Sequence, residues 1–131
     1  TSVKIVPIAL MTLDLETCHK VARAIVSAVK LMDYRITIIA SSDMSHYVSD
    51  SEARALDGMA IERILQLDPE GLYETVTSKK ISMCGYIPAT IMLYACIALG
   101  AQKAELIKYA TSGEVSGDYN YVVGYAGIIV R

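Results

Sequence analysis

Histidine is scarce in this sequence: His19 and His46 are the two present among 131 residues. A metal centre normally needs three or four ligands, so two imidazoles exclude a site built from histidine alone. Cysteine is sparse as well. Cys18, Cys84 and Cys96 make an odd number, no Cys-x-x-Cys spacing occurs, and there is no signal-peptide pattern. A disulfide framework is thereby excluded, and reduced thiols in a cytoplasmic compartment are expected. Basic residues form no run longer than Lys79-Lys80, and the net charge is -2. That gives no footprint for nucleic acid. A long apolar run is missing too. Ile81 to Gln102 carries no charge, but Cys84-Gly85 and Pro88 interrupt it. Its helical part, Pro88 to Leu99, is about a dozen residues where a membrane span needs roughly 20. It reads as a buried core helix. Repeats, low-complexity tracts and linkers are absent.

What is present is a core-rich composition, 53% hydrophobic and 20% charged, of a length expected of one domain. The pattern starts at once with Val3-Lys4-Ile5-Val6-Pro7-Ile8-Ala9-Leu10, a predicted strand, and the first residue is Thr1. A piece of a longer chain is the expectation, since natural termini usually fray before the first core strand. Asp14 is placed to cap a helix to about Met32, with Cys18, Val21, Ala22, Ile25, Val29 and Met32 on one face. Arg35-Ile36-Thr37-Ile38-Ile39-Ala40 reads as a buried strand. Ser49 and Glu52 have capping-box spacing and open a helix with Leu56, Met59, Ala60, Ile64 and Leu65 as its buried stripe. Pro69 starts a further helix, Gly100 stops the apolar one, and strands follow at Glu105–Ala110 and Tyr121–Val130. The order β-α-β-α-α-α-β-β predicts an α/β fold, a mixed sheet with helices on both faces.

The chemistry concentrates in Ser41-Ser42-Asp43-Met44-Ser45-His46-Tyr47, directly after the second predicted strand. In α/β proteins ligands bind at that carboxyl edge. His46 is either a loop histidine bonded to backbone or water, or a functional one whose basicity a nearby Asp43 would raise. Cys84 is either an inert packed thiol or a reactive one, since it sits just before a helix that Pro88 helps to start. Gly85 beside it permits close backbone approach. Cys18 and Cys96 fall on apolar helix faces and read as core, and His19 as surface. Together His46 and Cys84 allow a cysteine–histidine dyad for nucleophilic catalysis, or a site for copper, zinc or iron.

The Ser41–Tyr47 motif, the Cys84-Gly85-Tyr86-Ile87-Pro88 turn, and Thr111-Ser112-Gly113 with Ser116-Gly117-Asp118-Tyr119 resemble the Memo family, whose archaeal and bacterial members are also called AmmeMemoRadiSam system protein B. The resemblance covers essentially the whole sequence. It implies a three-layer α/β/α sandwich similar to that of class III extradiol dioxygenases, the LigB-like non-haem iron enzymes. It also implies a pocket made by histidines of an amino-terminal half together with a cysteine and a histidine of the carboxy-terminal half. By that resemblance Cys84 matches the cysteine metal ligand. His46 matches the pocket histidine in the place of the dioxygenases' catalytic one, and Asp43 matches the acid of the same motif. Ser42, Gly85 and Ser112 would line the pocket, and iron or copper would be the metal of the complete protein. The amino-terminal histidines are not in this sequence, and His19 lies outside any family motif. The resemblance therefore implies the carboxy-terminal portion of a longer domain. Its first partner would be the missing amino-terminal segment or the rest of a full-length chain. A homo-oligomer is expected as well, because half a sandwich exposes apolar surface. Fold does not fix function, so a small-molecule or peptide ligand bound without catalysis, as by a scaffold, stands beside metal chemistry.

Overall fold

The computed structural model describes residues 3–131. Five helices and a three-stranded sheet follow in the order α1 (Leu15–Lys30), β1 (His46–Val48), α2 (Asp50–Leu65), α3 (Pro69–Ser78), α4 (Tyr86–Ala98), β2 (Ala104–Thr111), α5 (Gly113–Ser116) and β3 (Val122–Val130). This is an α/β fold. The sheet order is β1-β3-β2 with both pairings antiparallel.

Local chemistry accounts for the helix starts. Asp14 accepts the Thr17 N–H at 2.7 Å, Ser49 Oγ accepts that of Glu52 at 3.3 Å, and Asp68 accepts that of Gly71 at 2.8 Å with Pro69 as the first helical residue. The ends are equally local. After α3 the Ile81 N–H returns to the Val76 carbonyl and the Lys80 N–H to that of Thr77, with Lys80 left-handed at φ 53°. This is a Schellman ending with lysine where glycine is favoured. After α4 the same position holds Gly100, at φ 103°.

Helix α4 is apolar on all sides because it lies between two cores. Ala89 and Leu93 join Met44, Ile61, Leu72, Val76 and Met83 in one. Ile87, Ile91 and Ala95 meet Cys18, Ala22 and Val26 of α1 in the other. Helix α2 packs on β2 and β3. Their inward row, Val122, Gly124 and Ala126 on β3, is buried or half-buried, while Tyr125, Gly127 and Ile129 face outward. Arg54 of α2 clamps this layer. It donates to Asp50 at 2.7 Å and to Glu114 of α5 at 3.1 Å, while Thr111 of β2 donates to the other Asp50 oxygen at 2.6 Å.

Three expectations need correction. Residues 3–10 and 35–40 form no strand, and among the described residues no backbone hydrogen bond ties either to another segment. Ile5 and Ile39 are each 82% exposed. β-Branched residues favour an extended chain, but a ladder also requires a neighbour alongside. The strand that does form next to the motif is β1, whose His46 pairs with Val123. The buried row of α2 is Ala53, Asp57, Ala60, Ile61 and Ile64. Met59 and Leu65 are exposed, because the stripe is turned to bring Asp57 inside.

Candidate metal centre

The residues just before β1 are held largely through their backbone groups. The Met44 N–H donates to the Gly124 carbonyl and the Gly124 N–H to the Ser45 carbonyl, both at 2.9 Å. The Ser45 N–H and hydroxyl both donate to Asp57 Oδ1, at 2.9 and 2.6 Å. Tyr109 of β2 donates to Asp57 Oδ2 at 2.6 Å. Gly124 makes this crossing fit: a Cβ there would lie 2.0 Å from Asp57 Oδ2. His46 is fixed next. Its N–H donates to Ser82 Oγ at 2.7 Å and its Nδ1 lies 2.6 Å from the Ser82 carbonyl oxygen. A carbonyl only accepts, so Nδ1 carries the proton and Nε2 of the neutral ring presents its lone pair. Tyr47 follows in the left-handed region at φ 58°, where the pairing register slips.

Cys84 arrives from the other side, between buried Met83 and the start of α4. The Asp43 N–H donates to its Sγ at 3.3 Å, and Ser42 Oγ lies 3.9 Å from the sulfur. The same Ser42 oxygen accepts the Gly85 N–H at 2.8 Å. Gly85 is glycine for the Ser41-Ser42 backbone, not for a ligand: a Cβ would lie 2.4 Å from the Ser41 carbonyl oxygen and 2.4 Å from Ser42 Cβ.

One donor atom each from Asp43, His46 and Cys84 therefore comes together, all within 4.8 Å of one another. His46 Nε2 stands 3.6 Å from Asp43 Oδ2, too far for a hydrogen bond. Two ligand atoms on one ion, each at about 2.0–2.3 Å from it, are separated by roughly 3–3.7 Å. The gap thus suits a shared cation better than a direct contact. The Asp43 side chain is 48% exposed and that of His46 23%, so the cluster opens to solvent. A thiolate, an imidazole and a carboxylate form a mixed soft and hard donor set, suited to a first-row transition metal such as iron, copper or zinc rather than to calcium or magnesium.

Known proteins carry the same stretch. The family described as "Memo-like protein" matches residues 1–129. The chain belongs to the Memo-like family. A MEMO1 family protein of Methanocaldococcus jannaschii is 48% identical over 128 residues, covering 98% of this chain and 45% of that protein. One of Methanopyrus kandleri is 44% identical over 130 residues, 99% of this chain and 46% of its own length. One of Archaeoglobus fulgidus is 45% identical over 128 residues, 98% and 48%. The chain spans about half the length of the relatives it matches.

In this Memo-like chain the remaining predicted residues divide. Ser42 lines an open depression with Lys108, Ala110, Tyr125, Ala126 and Gly127. Ser112 is turned to the strand instead, its Oγ accepting the Val123 N–H at 3.0 Å. Cys18 is fully buried and Cys96 half-buried, donating to Met92 Sδ at 3.6 Å; burial raises both thiols' pKa. His19 is exposed, its ring 4.8 Å from that of Tyr94. Sequence reasoning missed Ser82, which sets the imidazole, and the Ser45–Asp57–Tyr109 contacts. Ser82 carries one signal, its position two residues before Cys84. Asp57 carries another, an acid within an otherwise apolar helical row. Among the described residues no helix is long and apolar enough to cross a membrane.

Proposed function

We propose that this chain contributes a metal-binding, dioxygenase-like pocket to a Memo-like protein, with Cys84, His46 and Asp43 as its donors and iron or copper as the metal. One observation carries the reading: three unlike donor atoms lie within 4.8 Å of one another, with the ring of the histidine oriented by a backbone carbonyl. A ligating histidine almost always gives its other N–H to such an acceptor, as His46 does to Ser82. Cys84 would bind as the thiolate and His46 through Nε2. Asp43 would serve as the hard ligand or take a proton from a bound substrate. Ser42 and Gly85 would form the wall beside the sulfur. A bound metal would supply Lewis acidity or a redox couple. Three donors leave positions open. The length that the relatives have beyond this stretch is the proposed source of further ligands, and a small molecule the proposed occupant of what remains. Reduced Cys84 fits a cytoplasmic setting.

The test is metal content after anaerobic loading of the intact protein with Fe(II) or Cu(I). Near-stoichiometric metal in the wild type, with loss in Cys84→Ala and His46→Ala, is expected. Equal metal in wild type and Cys84→Ala defeats the proposal. Partner binding that survives Cys84→Ala without any metal dependence would favour a scaffold instead.

A further inference from the structure

Asp57 is fully buried in the middle of α2 and is not one of the three donors. A carboxylate in that position is costly unless strong donors meet it. Three do, and two of them belong to Ser45, the residue that immediately precedes His46 and lies two beyond Asp43. The peptide linking two proposed metal donors is thus tied to α2 through a single carboxylate oxygen. The third donor, Tyr109, holds the other oxygen from the sheet, and its phenol pKa is raised, first by burial and then by Asp57 itself. Gly124 closes the arrangement. It leaves room for the carboxylate and uses its own N–H and carbonyl to hold Ser45 and Met44.

We propose that Asp57 is a positioning residue of the metal centre, acting through Ser45 to fix the spacing of Asp43 and His46. The inference rests on the metal-binding reading above. A purely structural role would make both of its oxygens matter alike. A positioning role makes the oxygen facing Ser45 matter to the metal and the oxygen facing Tyr109 matter only to stability.

Cobalt(II) added to the intact protein separates these. Its sulfur-to-metal charge-transfer band reports Cys84, and its d–d bands report geometry. Ser45→Ala and Asp57→Asn are expected to weaken cobalt binding about 10–100-fold, the usual cost of losing a group that orients a ligand, and to alter the d–d bands. Tyr109→Phe is expected to lower the unfolding midpoint while keeping wild-type cobalt affinity and spectrum. Ser45→Ala removes only one hydroxyl, so it keeps the question answerable if Asp57→Asn does not fold. Wild-type cobalt affinity and spectrum in Ser45→Ala would overturn the proposal. So would a Tyr109→Phe spectrum as disturbed as that of Ser45→Ala. Cobalt binding that is missing from the wild type, or unchanged by Cys84→Ala, would instead bring down the metal-binding reading itself, and this proposal with it.

Discussion

Gly124→Ala and Gly58→Ala add the same methyl group and should act in opposite directions. At Gly124 the new Cβ would lie 2.0 Å from Asp57 Oδ2 and 2.9 Å from the Tyr109 hydroxyl. Non-bonded carbon and oxygen need roughly 3 Å or more, so the carboxylate must retreat by about 1 Å. That movement stretches a 2.6 Å hydrogen bond from Tyr109 beyond useful range. A hydrogen bond to a charged group is worth about 1.5–3 kcal/mol, and overpacking a tight site adds about 1–3 kcal/mol. A destabilisation of about 3–5 kcal/mol follows. Gly58 lies in the interior of α2, on its exposed side, and a Cβ there meets nothing within 4 Å. Alanine should stabilise by about 0.5–1 kcal/mol through helix propensity alone. Equilibrium urea unfolding, followed by far-ultraviolet circular dichroism because the protein has no tryptophan, measures both. The cost of Gly124→Ala should shrink by about 2 kcal/mol or more when Asp57 is already alanine, since the clashing carboxylate is then gone and the Tyr109 hydroxyl, no longer tied to it, can swing aside. A Gly124→Ala protein within about 0.5 kcal/mol of wild type would refute the reasoning. So would an undiminished cost in the Asp57→Ala background.

Two further outcomes are expected. Lys80 sits left-handed at φ 53° in the ending of α3, so Lys80→Gly should raise stability by about 0.5–1 kcal/mol, the relief of a Cβ clash less the added freedom of the unfolded chain; urea midpoints check it. The Arg54 guanidinium, and after it the Thr111 hydroxyl, hold the Asp50 carboxyl below its ordinary 3.8. A depressed folded-state value means that this contribution is complete above the ordinary carboxylate range and is lost as the pH falls through the folded-state value. Thermal unfolding followed from neutral pH into acid should therefore show a decline below about pH 4 that is shallower in Asp50→Asn.

The helices were legible because their signals are local. Asp14, Ser49 and Asp68-Pro69 act on residues three positions away, and Gly100 needs only its own φ. The segments 3–10 and 35–40 show the limit of such signals. Their composition specifies an extended backbone, while a ladder belongs to two segments, and no composition of one supplies the other. The row buried by α2 went astray for a different reason. An apolar stripe counts what water rejects, and Asp57 is inside because of donors on Ser45, 12 residues earlier, and Tyr109, 52 residues later.

The same distinction separates the candidate donors from what holds them. Asp43, His46 and Cys84 could be picked out by side-chain chemistry, since few residue types bind metals or move protons near neutral pH. Their supports are mostly backbone groups or small residues that any loop contains. The ring of His46 is set by the carbonyl of Ser82, 36 residues away, and a carbonyl is present at every position of the chain. Cys84 is held against Ser42 by an N–H that Gly85 shares with all residues but proline, and the contact is close only because Gly85 has no Cβ. An acid on the very next helix and a glycine on a neighbouring strand therefore fix the backbone that carries the candidate donors. That is why substitution at Ser45 tests the geometry of the centre in a way that removal of the donors themselves does not. Deleting a donor shows only that a ligand was needed. Moving its support, with every donor still present, shows whether the geometry was.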